Sequence, residues 1–248
     1  MVTIADNANI TARGGNVCAA QSRTSYGMRP LNSLSIGDNA VVRCYGGNVT
    51  KQEGGSNTDY SYSGGIRTSE ISLSSSARVY AFGGNSINQA ANSAGIYLYD
   101  SKLSNPLVAR VSDNSFLHAE GGISEGNNFG IAVNRYNVTE STNRTLTVSG
   151  NAYIKAIGKK SRNDNSCKCM GLDFKTIYIN GGTVVASAET PVSEGSIEAI
   201  SPAPTYAEGL TPTVKSGESE GTAAPADATD AKTYKKRWVK IQTSEPVY

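Results

Sequence analysis

One segment recurs along this chain, and its recurrence narrows the available folds more than any other feature. In its clearest copy it reads Leu34-Ser35-Ile36-Gly37-Asp38-Asn39-Ala40-Val41-Val42-Arg43-Cys44-Tyr45-Gly46-Gly47. Two short runs of period two, Leu34/Ile36 and Ala40/Val42/Cys44, flank a turn at Asp38-Asn39, and a glycine pair closes the segment. Further copies start at Val2, Ile71, Ala109, Leu146 and Ile177. The turn passes through Asn7, Asn39, Ser76, Asn114, Asn151 and Gly181, at spacings of 32, 37, 38, 37 and 30 residues. A second signal falls between copies: Tyr26-Gly27-Met28, Gly64-Gly65-Ile66, Ala94-Gly95-Ile96, Phe129-Gly130-Ile131 and Met170-Gly171-Leu172.

Strands of three to five residues cannot stand alone. Stacking each on its equivalent in the next unit builds parallel sheets around a continuous apolar core. Four inward columns follow: Ile4, Ile36, Leu73, Val111, Val148, Ile179; then Ala8, Ala40, Ala77, Ser115, Ala152, Gly182; then Ile10, Val42, Val79, Leu117, Ile154, Val184; then Ala12, Cys44, Ala81, Ala119, Ala156, Ala186. Large and small side chains keep to separate columns, as a narrow coil requires, because an oversized residue costs its layer about 1–3 kcal/mol. Asn, Asp and Gly at the turn tolerate the left-handed backbone of a sharp bend, and stacked Asn amides can bond from unit to unit, with Ser76 the weak rung.

These short strands, the Asn turn column and the Gly-ended corners resemble a right-handed parallel β-helix of the pectate-lyase-like architecture. More narrowly, they are similar to the β-helical carbohydrate-binding-domain proteins found on or outside gut and cellulolytic bacteria. The resemblance covers residues 2–188 and implies an all-β fold of about six coils of three short strands, with almost no helix. It leaves the activity open, because solenoids of this kind serve unrelated roles.

Composition agrees with a corner-rich fold: glycine takes 26 of 248 positions, above the average of about 7%. A net charge of +2, with no basic block following a backbone groove, argues against nucleic acid as a partner. No run approaches the apolar length of a transmembrane segment, and no signal peptide is visible; the abrupt start at Val2 suggests that Met1 replaces a trimmed leader. Cys44 stands in an inward column and reads as a small buried hydrophobe. Cys18, Cys167 and Cys169 read as exposed thiols or, for Cys167 and Cys169, a strained local disulfide; a Cys-x-Cys pair without further ligands is a poor metal motif.

The chain divides into a β-helix body at 1–188, an irregular segment at 189–233 and a returning strand at 234–248 packed on the helix end through Trp238 or Ile241. Residues 14–33 and 46–65 read as corner loops, with Gly54-Gly55-Ser56-Asn57 and Tyr60-Ser61-Tyr62-Ser63 irregular and exposed. Lys159-Lys160-Ser161-Arg162 reads as a solvated basic corner. Four Asn-x-Thr triplets, at Asn9, Asn48, Asn137 and Asn143, match the N-glycosylation acceptor, a cheap match in an Asn/Thr-rich chain.

Alternation places a second set of residues on the outer face of the second strand: Arg43, Tyr45, Arg78, Tyr80, Phe82, Phe116, His118, Glu120, Tyr153 and Lys155. Aromatic side chains offer apolar area at low entropy cost, and neighbouring polar groups can bond hydroxyls, so a polysaccharide or other glycan is the ligand this set suits. Catalysis is less well served. Glycoside hydrolysis needs two carboxylates about 5–9 Å apart, and a pectate-type lyase needs carboxylates for Ca²⁺ plus a base. Here Glu120, Asp173, Asp100, Glu70 and Glu125 are scattered, and His118 pairs only with Glu120. No cofactor is implied; corner Asp and Asn groups could ligate Ca²⁺ but lack EF-hand-like spacing. The expectation is a non-catalytic, secreted or cell-surface carbohydrate-binding module. Its alternatives are a structural or adhesive segment of a longer surface protein with other domains, and a polysaccharide lyase or hydrolase.

Overall fold

A computed structural model describes residues 1–19, 24–51, 61–87, 91–99, 106–133, 143–161, 168–189, 199–217 and 238–243. Among them there is no helix, and hence none long and apolar enough to cross a membrane. The strands stack in parallel as a β-solenoid. The first-strand face runs Val2–Ile4, Ser33–Ile36, Glu70–Leu73, Leu107–Val111 and the start of Arg144–Gly158. The second-strand face runs Asn9–Arg13, Val41–Tyr45, Arg78–Phe82, Phe116–Glu120 and the end of Arg144–Gly158; Thr176–Ala188 continues both faces. The third-strand face runs Thr24–Met28, Ser61–Thr68, Ala91–Leu98, Asn128–Val133, Cys169–Asp173 and Ile200–Ser201. The solenoid makes about 4 turns rather than six: the first copy has a parallel neighbour on one side only, and the last is followed only by the two-residue parallel strand Thr205–Tyr206 and the antiparallel Trp238–Thr243.

The turn between the first two faces divides its work between adjacent residues. Asp6, Asp38, Ser75, Asp113 and Gly150 take the left-handed backbone, with φ of 57°, 52°, 56°, 59° and 64°. The next residue forms the amide column: Asn39 Nδ2 donates to Asn7 Oδ1 at 3.4 Å, and Asn151 Nδ2 to Asn114 Oδ1 at 3.2 Å. The Asp side chains add their own link, since Asp6 N–H donates to Asp38 Oδ2 and Ser75 N–H to Asp113 Oδ2. The last copy departs from the alignment: Gly181 stacks on Gly150, not on Asn151, because its turn is one residue shorter.

The four inward columns are buried from the second copy onward, apart from the half-buried Gly182, with Ala8, Ile10 and Ala12 half-buried at the open end. The glycines of the second sequence signal mark where the third-strand face presses against the end of the second. A Cβ on Gly27, Gly65, Gly95 or Gly130 would stand 2.6, 2.6, 2.4 or 2.6 Å from the backbone nitrogen of Tyr45, Phe82, Glu120 or Ile157. No side chain fits between those two sheets.

Each winding also holds more strand than the sequence suggests. Val17–Ala19, Val49–Lys51 and Ser86–Ile87 form a short parallel ladder inside the expected corner loops, extended by bridges from Ser86 to Ser124 and Ser124 to Ser161. Asn16, Asn48 and Asn85 head this corner, and each Oδ1 accepts the backbone N–H of the next winding at 2.9–3.0 Å. Ser61-Tyr62-Ser63 is strand, not exposed loop: Ser61 and Ser63 are buried. Ser63 Oγ donates to Gly47 O at 2.8 Å and accepts from Gly84 N–H at 2.7 Å, while Ser25 and Ser93 make the same two bonds one winding either side. This buried serine column stitches consecutive glycine corners together.

Beyond the coils, Trp238–Thr243 pairs antiparallel with the second half of Thr176–Ala188, and Pro212–Gly217 pairs antiparallel with Trp238–Thr243. Trp238 and Ile241 are buried there. Three short strands, Ile200–Ser201, Thr205–Tyr206 and Pro212–Gly217, lie within the segment read as irregular. Gly54-Gly55-Ser56-Asn57, Tyr60, Asn137, Arg162 and Cys167 lie outside the described residues, as does 218–237.

Candidate functional site

Parallel register turns the outward residues of the second-strand face into three columns. Val41, Arg78, Phe116 and Tyr153 form the first, and Arg43, Tyr80, His118 and Lys155 the second. Tyr45, Phe82, Glu120 and Ile157 form the third. All ten residues singled out from the sequence therefore share one surface; Arg78 is exposed and the others are half-buried. The described part of the C-terminal segment extends this sheet edge-on past its last strand.

Strand spacing of about 4.8 Å brings the rings of one column into contact. Phe116 and Tyr153 stack at 5.5 Å with their planes 6° apart, and Tyr45 and Phe82 at 5.3 Å and 16°. Tyr80 meets Phe116 at 5.4 Å, and His118 sets its edge against Phe82 at 5.2 Å. Cations take the next position in two columns: the guanidinium of Arg13 sits 4.3 Å from the Tyr45 ring centre, and that of Arg43 5.5 Å from Tyr80 while its Nη1 donates to Asn9 Oδ1. The rings thus spend most of their faces on one another. What they present outward is a lane of ring edges and tyrosine hydroxyls flanked by arginine and lysine.

Glu120 closes one side of the lane. Lys159 Nζ lies 2.9 Å from Glu120 Oε1 and 3.1 Å from Glu189 Oε1. His118 Nε2 approaches Glu120 Oε2 to 3.4 Å, close enough for an ion pair but out of line for a hydrogen bond. The His118 imidazole and then Lys159, acting against burial, hold the Glu120 carboxyl below the ordinary carboxylate range. Burial pulls Lys159 down, but its bonds to Glu120 and Glu189 outweigh that and raise it. Lys159 is thus the centre of an ion-pair cluster, not a solvated basic corner. A carboxyl held ionised in this way is poorly suited to the general-acid role in glycoside cleavage, which calls for a raised pKa.

The sequence reading passed over the outer side of the third-strand face. Tyr62 stacks on Tyr97 at 5.3 Å, Tyr97 on Tyr99 at 6.0 Å, and the Arg67 guanidinium lies 3.9 Å from the Tyr99 ring centre. Burial, against the opposing charge of Arg67, pushes Tyr26 up to about 12, and burial raises Tyr97 further. The signal was present as tyrosines one to four positions from the glycine column. It was masked because on this face only Ile66, Ile96, Ile131 and Leu172 read as a periodic column.

The cysteines divide by position. Cys44 is buried in its column, and burial pushes its thiol up to about 12; Cys18 is exposed; Cys169, expected at the surface, is buried beside Ala188. Among the described residues no three His, Cys, Asp or Glu side chains stand together as metal ligands. In comparisons with protein-family models, curated proteins and solved structures, the chain matches none.

Proposed function

We propose that this β-solenoid binds carbohydrate through its second-strand face without cleaving it, as part of an extracellular or cell-surface protein where such polymers are met. The observation that carries the reading is the lane from Tyr45 to Tyr153. Three tyrosine hydroxyls, Arg43, Arg78 and Lys155 stand at regular strand spacing beside half-exposed ring edges. A linear polymer of sugar rings offers what such a lane can use, namely hydroxyls at regular intervals and weakly apolar C–H edges. The ion-paired state of Glu120 supports binding over hydrolysis.

The test is a glycan array and polysaccharide pull-down with the intact chain and with the Tyr80→Ala/Phe82→Ala variant. Binding to at least one plant, host or microbial polysaccharide, weakened roughly tenfold or more in the variant, is the expected result. Absence of binding across all three classes would instead favour a structural or adhesive segment, and release of reducing or unsaturated sugar would establish an enzyme.

A further inference from the structure

Arginines and aromatic rings follow a diagonal across the second-strand face. In each of its three outward columns an arginine is followed, one winding on, by a ring: Arg13 by Tyr45, Arg43 by Tyr80 and Arg78 by Phe116. The arginine moves one column sideways at each winding, so the three form an oblique seam over the first three coils. Such a step, to the next strand and two residues along, separates side-chain bases by about 7–8 Å, which two long side chains can close onto one group.

The seam carries charge that no described neighbour neutralises. Of the nine outward positions on these three windings, three are arginine and none is acidic; the others are Asn9, Thr11, Val41, Tyr45, Tyr80 and Phe82. Cations elsewhere are paired: Arg110 lies 3.9 Å from Glu70, and Lys159 holds Glu120, the one acid among the outward positions of the next two windings. Among the described residues no carboxylate lies within ion-pair distance of Arg13, Arg43 or Arg78. Asp6 and Asp38 stand in the turn ahead of the strands, where Asp38 Oδ2 accepts the Asp6 N–H.

Two of the guanidiniums are also held in place, Arg13 over Tyr45 and Arg43 over Tyr80 with its Nη1 on Asn9 Oδ1 at 2.9 Å. A ring contact uses the flat face of a guanidinium and leaves its N–H rim for an acceptor. Arginine offers donors only, so a ligand of the seam must bring acceptor oxygens and negative charge. One arginine fork fills both oxygens of a carboxylate, whereas the three terminal oxygens of a sulfate ester can take N–H groups from two neighbouring arginines at once.

We propose that the glycan taken by the lane is sulfated, and that Arg13, Arg43 and Arg78 hold its sulfate groups. That the ligand is a carbohydrate rests on the reading above; its charge rests on the seam.

Equilibrium binding of the intact chain to dextran, carboxymethyl-dextran and dextran sulfate, one backbone bearing no charge, carboxylates or sulfates, tests it. Dextran sulfate is expected to bind roughly tenfold or more tightly than the other two. Arg43→Gln/Arg78→Gln should lose roughly tenfold and Arg78→Gln alone, at an exposed position, several-fold. Arg110→Gln, which removes a cation from the first-strand face, should change nothing, and unaltered urea midpoints show that each variant is folded. The proposal is overturned if dextran sulfate does not bind, if carboxymethyl-dextran or single-stranded DNA of equal charge binds as tightly, or if binding is indifferent to both seam variants. The two readings fail separately: polysaccharide binding lost with Tyr80→Ala/Phe82→Ala but without preference for sulfate removes the seam and keeps the lane. Dextran sulfate binding lost in the seam variants but unaffected by Phe82→Ala, with no other polysaccharide bound, keeps the seam as an anion site and removes the lane.

Discussion

Asn151 donates its side-chain amide to Asn114 Oδ1 at 3.2 Å, across 37 residues of sequence and one winding of the coil. Asn39 stands in the same relation to Asn7 at 3.4 Å. Between these two pairs the column passes through Ser75 and Ser76, where the other early copies have Asp-Asn. Ser75 adopts φ 56° without the local hydrogen-bonding help of an Asp side chain, and its own side chain is too short to repeat the carboxylate link to the winding below.

Restoring the pair should therefore stabilise the coil. Ser75→Asp/Ser76→Asn is expected to raise the free energy of unfolding by about 1 kcal/mol, the worth of one or two partly exposed hydrogen bonds. Urea denaturation checks it: the midpoint should rise with an unchanged slope.

The serine column predicts a larger loss. Ser63→Ala removes one acceptor and one donor from inside the corner and strips a partner from Gly47 O and Gly84 N–H together. The expected cost is about 2–4 kcal/mol, because buried backbone groups left unpaired each cost about 1–3 kcal/mol. Chemical denaturation of this variant against Ser76→Ala, at an exposed turn serine, provides the comparison.

Two glycines should respond in opposite ways to the same added methyl. Gly95→Ala would place Cβ 2.4 Å from Glu120 N, and backbone cannot yield as a flexible side chain can. A destabilisation of about 3 kcal/mol or more, or failure to accumulate folded protein, is expected. Gly15→Ala meets nothing within 4 Å and should change stability by less than about 0.5 kcal/mol. Melting curves of the two variants decide the matter.

The Glu120 cluster fixes a pH dependence. Because the folded carboxyl titrates below its ordinary value of 4.5, its contribution is fully present above that value and disappears as pH falls through the lower folded value. Lys159, raised above 10.5, contributes fully below that pH and loses its contribution as pH rises through the folded value. Glu120→Gln should thus be less stable than the parent chain at pH 7, by under about 1 kcal/mol at this partly exposed site, with the gap closing in acid. Unfolding midpoints from pH 3 to 8 measure it; a gap that widened in acid would contradict the assignment.

The coil itself was legible because its pattern rests on side-chain size repeated at one register. Ile36 over Leu73 over Val111, and Ala40 over Ala77 over Ser115, announce themselves as large and small columns. The outward lane followed from the same alternation. The glycine column could be seen but not explained, because its cause is the approach of a strand distant in sequence: nothing near Gly95 indicates that Glu120 N will lie against it. The serine column escaped for a related reason. Ser25, Ser63 and Ser93 look like ordinary loop serines until their partners, the glycine corners of two windings, are placed beside them. The face-to-face stacking of Phe116 on Tyr153 was likewise invisible, since register predicts adjacency but not ring tilt.

The glycine contacts bear finally on how two faces of the coil relate. At Gly65 against Phe82 and Gly95 against Glu120, the second-strand and third-strand faces meet backbone to backbone, with no cushioning side chain in between. Neither strand can shift without displacing the other. A displacement of the backbone at Gly65 or Gly95 would be felt directly at the base of Phe82 and Glu120, so the two faces yield together as one stiff plate.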